Sequence, residues 1–172
     1  IVDTSGSMCD ANDSFGKALS IGHYLAKTST YMPNHVVSFS SRPQLIELGV
    51  TKPNESDRRY YYNPFSCEDN ESQYIREIAS MYTGDCSNTD FKAVMNLLMG
   101  LDKENVPEYL VVLSDMEFDH GSSMSKDRTM EYFKSIGAKT KIIWWNFNAR
   151  ATTCPEVDSY GNIFMSGYNP ML

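Results

Sequence analysis

Two unbroken apolar runs constrain this chain more than any other feature. Tyr109-Leu110-Val111-Val112-Leu113 and Ile142-Ile143-Trp144-Trp145 within Lys141–Phe147 carry apolar side chains at successive positions. A strand with one solvated face alternates apolar and polar residues, whereas an unbroken run needs cover on both faces. Both runs therefore predict buried strands, and the first ends at Ser114-Asp115.

The rest of the chain alternates between strand-like and helix-like spacing. Ile1-Val2 leads into a Gly-containing turn, and Asp10 to Asp13 offer N-caps for a helix. Phe15, Ala18, Leu19, Gly22, Leu25 and Ala26 form its apolar stripe, and it is expected to end near Met32-Pro33. Val36 to Phe39 reads as a short strand with Gln44 to Leu48 as its hairpin partner; Pro43 falls between them, where it disturbs pairing least. Residues 49–71 are polar, include Tyr60-Tyr61-Tyr62, and read as a surface insertion. Ser72 to Met81 returns to helical spacing. A further helix starts at about Thr89, with Phe91, Val94, Met95 and Leu98 on one face. After the YLVVL strand, Lys126 to Ile136 reads as a helix stopped by Gly137, and Asn162 to Met165 as a last strand. This order predicts an α/β fold: a mostly parallel central sheet with helices on both faces, in three Rossmann-like layers. Ligands of such sheets sit at the carboxyl ends of the strands, where Asp3 and Asp115 fall.

The bulk composition removes several function classes. At 172 residues the chain suits one domain, and no apolar stretch approaches the ~18 residues of a membrane helix. Only two apolar residues precede Asp3, so residues 1–172 are read as a single domain cut from a longer protein at both ends. A net charge of −7, with scattered basic residues, argues against a large phosphate-backbone interface. Cys9, Cys67, Cys86 and Cys154 show no C-x-x-C and no zinc-ribbon pairing. The expectation is reduced thiols in an intracellular, cytoplasmic protein. Cys9 and Cys86 flank the segments discussed next, and are either near neighbours or simply two small, partly buried side chains. His23, His35 and His120 have no metal-ligand spacing, and Trp144-Trp145 reads as core.

Three segments concentrate oxygen side chains at strand ends or helix starts. Asp3-Thr4-Ser5-Gly6-Ser7 follows the first strand, Thr89 opens a helix after Gly84 to Asn88, and Asp115 ends the most apolar strand. Hard-oxygen donors of this kind suit Mg²⁺ better than a soft metal. The order Asp-x-Ser-x-Ser, then Thr, then Asp resembles the metal-ion-dependent adhesion site of von Willebrand factor A domains, over nearly the whole chain. Ser114-Asp115-Met116-Glu117-Phe118-Asp119, Ile143-Trp144-Trp145-Asn146 and Met165 to Pro170 are similar to an intracellular branch near the Ro autoantigen (TROVE-like) family.

The resemblance implies a Mg²⁺ site, with Mn²⁺ or Ca²⁺ as other occupants. Ser5 and Ser7 would coordinate through neutral hydroxyls, Thr89 directly or through water, and Asp3 and Asp115 mostly through waters. Ser87 and Asn88 compete with Thr89 for that register, and a plain helix N-cap is the lesser reading of Thr89. Glu117 either supports the ligands from outside the coordination shell or is an exposed loop acid. Neutral direct ligands leave the ion electrophilic, so a protein partner's Asp or Glu can occupy the open position. The implied function is a non-catalytic, metal-dependent protein-binding module. A haloacid-dehalogenase-like phosphohydrolase with Asp3 as nucleophile is the competing reading. Such enzymes place a second acid two residues on, and here that position is Ser5. A Ro-like accessory role is the third reading; RNA would engage through a helical module outside this sequence, not through this acidic fragment.

Overall fold

The computed structural model describes residues 1–8, 14–39, 42–48, 90–116, 122–147, 156–159 and 161–167, with backbone only for 122–126 and 156. In chain order the elements are β1 (Val2–Asp3), α1 (Ser14–Thr28), β2 (His35–Phe39), β3 (Leu45–Glu47), α2 (Phe91–Met99), β4 (Tyr109–Ser114), α3 (Ser122–Ser135), β5 (Lys141–Asn146), β6 (Glu156–Val157) and β7 (Ile163–Ser166). Single 3₁₀ turns occupy Gly6–Met8 and Lys103–Asn105.

Among the described residues the strands form one seven-stranded sheet, ordered β3-β2-β1-β4-β5-β7-β6. The contacts β2-β1-β4-β5-β7 are all parallel, while β3 and β6 close the two edges antiparallel. This is a three-layer α/β, Rossmann-like fold, as the buried runs predict.

The runs are apolar throughout because successive residues serve opposite faces. In β4, Leu110 and Val112 pack with Phe91, Val94, Met95 and Leu98 of α2 and with Met130 and Phe133 of α3. Leu113 and the half-buried Val111 turn to the other face, against Phe15, Ala18, Leu19 and Ala26 of α1. Val37 and Val36 divide in the same way, as do Trp144 and Trp145. Full burial of one such aliphatic or aromatic side chain contributes about 1.5–3 kcal/mol. Trp144 is core, tilted against Phe91 at 5.1 Å between ring centroids. Trp145 stacks on Phe147 and donates its indole N–H to the Gly167 carbonyl at 2.9 Å.

Four boundaries differ from the sequence expectation. Helix α1 stops at Thr28, short of Met32-Pro33. The Thr28 hydroxyl bonds back to the Tyr24 carbonyl at 2.9 Å, and Asn34 N–H takes the Ala26 carbonyl. Such hydroxyl competition for backbone groups favours helix ends. Met32 and Asn34 then adopt positive φ, 43° and 63°, which an α-helix does not admit. Helix α3 starts at Ser122 instead of Lys126, since Met124 alone among Ser122 to Ser125 makes no apolar stripe to read. The edge strand β6 was not foreseen; two residues are too few for an alternation signal. Helix α2 is capped by Asp90, one residue past the expected start, and its Oδ1 accepts the Ala93 N–H at 3.0 Å. The expected insertion 49–71, the helix 72–81, the Asp10–Asp13 caps, His120 and all four cysteines lie outside the described residues. Among the described residues no helix is long and apolar enough to cross a membrane.

Candidate metal centre

Strand β1 is where the sheet changes direction. The chain leaves β1 through α1 to β2 on one side, and β4 later joins β1 on the other. In open α/β sheets this switch point opens a crevice beyond the strand ends, which is the usual ligand site. Asp3 ends β1, and Asp115 follows β4 directly. The register pairs Val2 with Leu113 and Asp3 with Phe39, which brings Asp3, Ser114 and Asp115 to one end of the sheet.

Residues 3–7 turn tightly over this end. The Ser5 N–H donates to Asp3 Oδ1 at 2.9 Å, and the Ser5 and Ser7 hydroxyl oxygens are 3.0 Å apart. The 3₁₀ turn is closed by the Met8 N–H on the Ser5 carbonyl, and Met8 is fully buried beneath it. Thr4 points the other way: its N–H and hydroxyl both donate to the Phe39 carbonyl, at 3.0 and 3.2 Å, fastening the turn to β2. Hence Thr4 is structural while Asp3, Ser5 and Ser7 share the site.

The second Asp3 oxygen is held from β4. The Ser114 hydroxyl donates to Oδ2 at 2.5 Å and accepts the Met116 N–H at 2.9 Å. Met116 has φ of 63°, a left-handed conformation that costs a non-glycine residue about 1–2 kcal/mol. Asp3 is 0% exposed and Asp115 5% exposed. Burial pushes the Asp3 carboxyl up to about 6; the hydrogen bonds from Ser114 and Ser5 oppose that rise, and the charge of Asp115 adds to it.

Two enclosed carboxylates and two adjacent hydroxyls fit a small hard cation. The Ser5 and Ser7 hydroxyls hydrogen-bond to each other at 3.0 Å, a spacing that neighbouring oxygens of an octahedron with ~2.1 Å metal–oxygen bonds also have. Among the described residues there is no group of three or more His, Cys, Asp or Glu side chains suited to a metal. The donor set here is instead weighted to hydroxyls, as Mg²⁺ sites that keep several waters allow.

The structure thus brings Asp3, Ser5, Ser7 and Asp115 together. Thr89 and Glu117 lie outside the described residues. The start of α2 is nevertheless fixed: the Phe91 ring lies 5.7 Å from that of Phe39, the register partner of Asp3. Sequence reading missed Ser114. Its only signal was its place between an apolar strand and Asp115, which a plain strand-end serine shares.

Over residues 1–172 the chain matches the family described as Domain of unknown function (DUF7788). It belongs to the DUF7788 family. No curated protein matches it. For this DUF7788 domain, then, function has to be argued from the geometry of Asp3, Ser5, Ser7, Ser114 and Asp115.

Proposed function

We propose that this DUF7788 domain is a non-catalytic, divalent-metal-dependent protein-binding module of the von Willebrand factor A type. Asp3, Ser5, Ser7, Thr89 and Asp115 would hold the ion, Mg²⁺ in the first instance, with Mn²⁺ or Ca²⁺ as substitutes. The bound ion supplies a Lewis-acidic position that accepts an Asp or Glu carboxylate from a partner protein. On this reading the module works inside cells, and Glu117 supports the ligands from outside the coordination shell.

The observation that carries the proposal is the pairing of buried Asp3 with buried Asp115 at the switch point, beside two hydroxyls 3.0 Å apart. Burying two like charges side by side is costly; burial and the charge of Asp115 both raise the Asp3 pKa, and a cation at this end of the sheet would offset that cost. A hydrolytic reading gains less support. The position where a phosphatase would carry its general acid is Ser5, whose N–H serves Asp3 and whose hydroxyl faces Ser7.

Calorimetric titration with Mg²⁺ alone tests the proposal. Wild-type protein is expected to bind one ion, and Asp3→Ala to bind it at least tenfold more weakly. Equal binding by the two would remove Asp3 from the site. Mg²⁺-dependent turnover of an aryl phosphate, lost in Asp3→Asn, would replace the binding reading with the hydrolytic one.

A further inference from the structure

We infer that Ser114 is a positioning residue that sets both acidic ligands of the centre, an inference that rests on the metal-binding reading. Ser114 is fully buried at the end of β4. A hydroxyl offers one donor and two acceptor lone pairs. The Met116 N–H can only donate, and it takes one acceptor position at 2.9 Å. The Ser114 proton is left for Asp3 Oδ2, at 2.5 Å. The direction of the relay is therefore fixed, from Met116 N–H to Ser114 Oγ–H to the Asp3 carboxylate.

This relay spans the two strands that build the site. On its β1 side it completes the clamp on Asp3, since Ser5 N–H already holds Oδ1 at 2.9 Å. With one donor on each oxygen the carboxylate cannot rotate about its terminal bond without losing a hydrogen bond, and its remaining lone pairs keep one direction. On its β4 side the relay pins the backbone at residue 116, where φ is 63°. Asp115 lies between the two pinned residues, so its side chain starts from a fixed main chain. One hydroxyl consequently holds the Asp3 carboxylate directly and the main chain just after Asp115. Short hydroxyl–carboxylate bonds are the stronger, charge-assisted kind. Groups that orient ligands in this way typically change metal affinity by about 10–100-fold when removed.

Ser114→Thr and Ser114→Val form the deciding pair, because they match in volume and β-branching and differ only in the hydroxyl. Each is titrated calorimetrically with Mg²⁺ and separately with Ca²⁺, beside wild type. The Thr variant is expected to keep Mg²⁺ affinity within about threefold of wild type, and the Val variant to lose about 10–100-fold. Mg²⁺ demands near-octahedral geometry while Ca²⁺ tolerates irregular shells, so the Val variant should lose more affinity for Mg²⁺ than for Ca²⁺. Equal affinities in the Thr and Val variants would overturn the positioning role, as would equal losses for the two ions. A wild-type protein that binds neither ion would overturn the metal reading itself, and this inference with it. Intact wild-type binding with an unchanged Val variant would overturn this inference alone.

Discussion

Asp3 and Asp115 stand at the ends of adjacent parallel strands, both buried, and the charge of Asp115 helps to raise the pKa of Asp3. A cation between them converts this repulsion into attraction. Saturating Mg²⁺ should therefore stabilise the fold. At 100 times its Kd a ligand adds about 2.7 kcal/mol, and a chain of this size shifts by roughly 2–4 °C per kcal/mol. The melting temperature measured by scanning calorimetry should rise by about 5–11 °C over that in chelator. An identical melting temperature in both would argue against an ion at this site.

The raised pKa of Asp3 sets a pH dependence with a definite sign. Its carboxyl titrates at about 6 in the fold against 3.8 unfolded, so between these values the folded state binds more protons. Stability of the metal-free protein from this group therefore rises as pH falls from about 6 towards 3.8, and is lost as pH climbs back through 6. The size is on the order of 2–3 kcal/mol. Asp3→Asn should flatten that part of the urea stability profile. Mg²⁺ affinity should run the opposite way, weakening as pH falls through about 6, because the ion competes with the proton.

Asp90 fixes the start of α2 through its bond to the Ala93 N–H. Asp90→Ala should cost about 1 kcal/mol, and Asp90→Ser much less, because serine also caps. Urea midpoints at constant m-value would show the difference. Equal midpoints for the two variants would mean that the cap bond contributes nothing.

Phe91 joins the helical layer to the sheet, with its ring against both Phe39 and Trp144. It is 2% exposed, and Phe91→Ala should cost about 3–5 kcal/mol. Phe91→Leu should cost markedly less. Denaturant unfolding of both variants in chelator would separate this packing loss from any effect on metal.

The sheet was legible because its central strands are buried on both faces, a condition that β4 and β5 write into sequence as unbroken apolar runs. Helix α1 was legible by its stripe, but its end was not. Thr28 to Thr30 look no different from helix surface until the Thr28 hydroxyl is seen bonded to Tyr24. Of the candidate site, Asp3, Ser5 and Ser7 could be read from local spacing. Asp115 could be read from its place at a strand end. Ser114 could not, because its partner is 111 residues away and only the register of β1 against β4 makes them neighbours.

That separation has a consequence for synthesis and folding. The Val2–Asp3 strand cannot be completed on both sides until residues 109–114 have been made and have closed a loop of about a hundred residues, which makes it a late, non-local pairing. No nascent chain shorter than this can form the centre. Affinity for an ion at Asp3 would accordingly serve as a probe of that one pairing, silent until β4 has docked against β1.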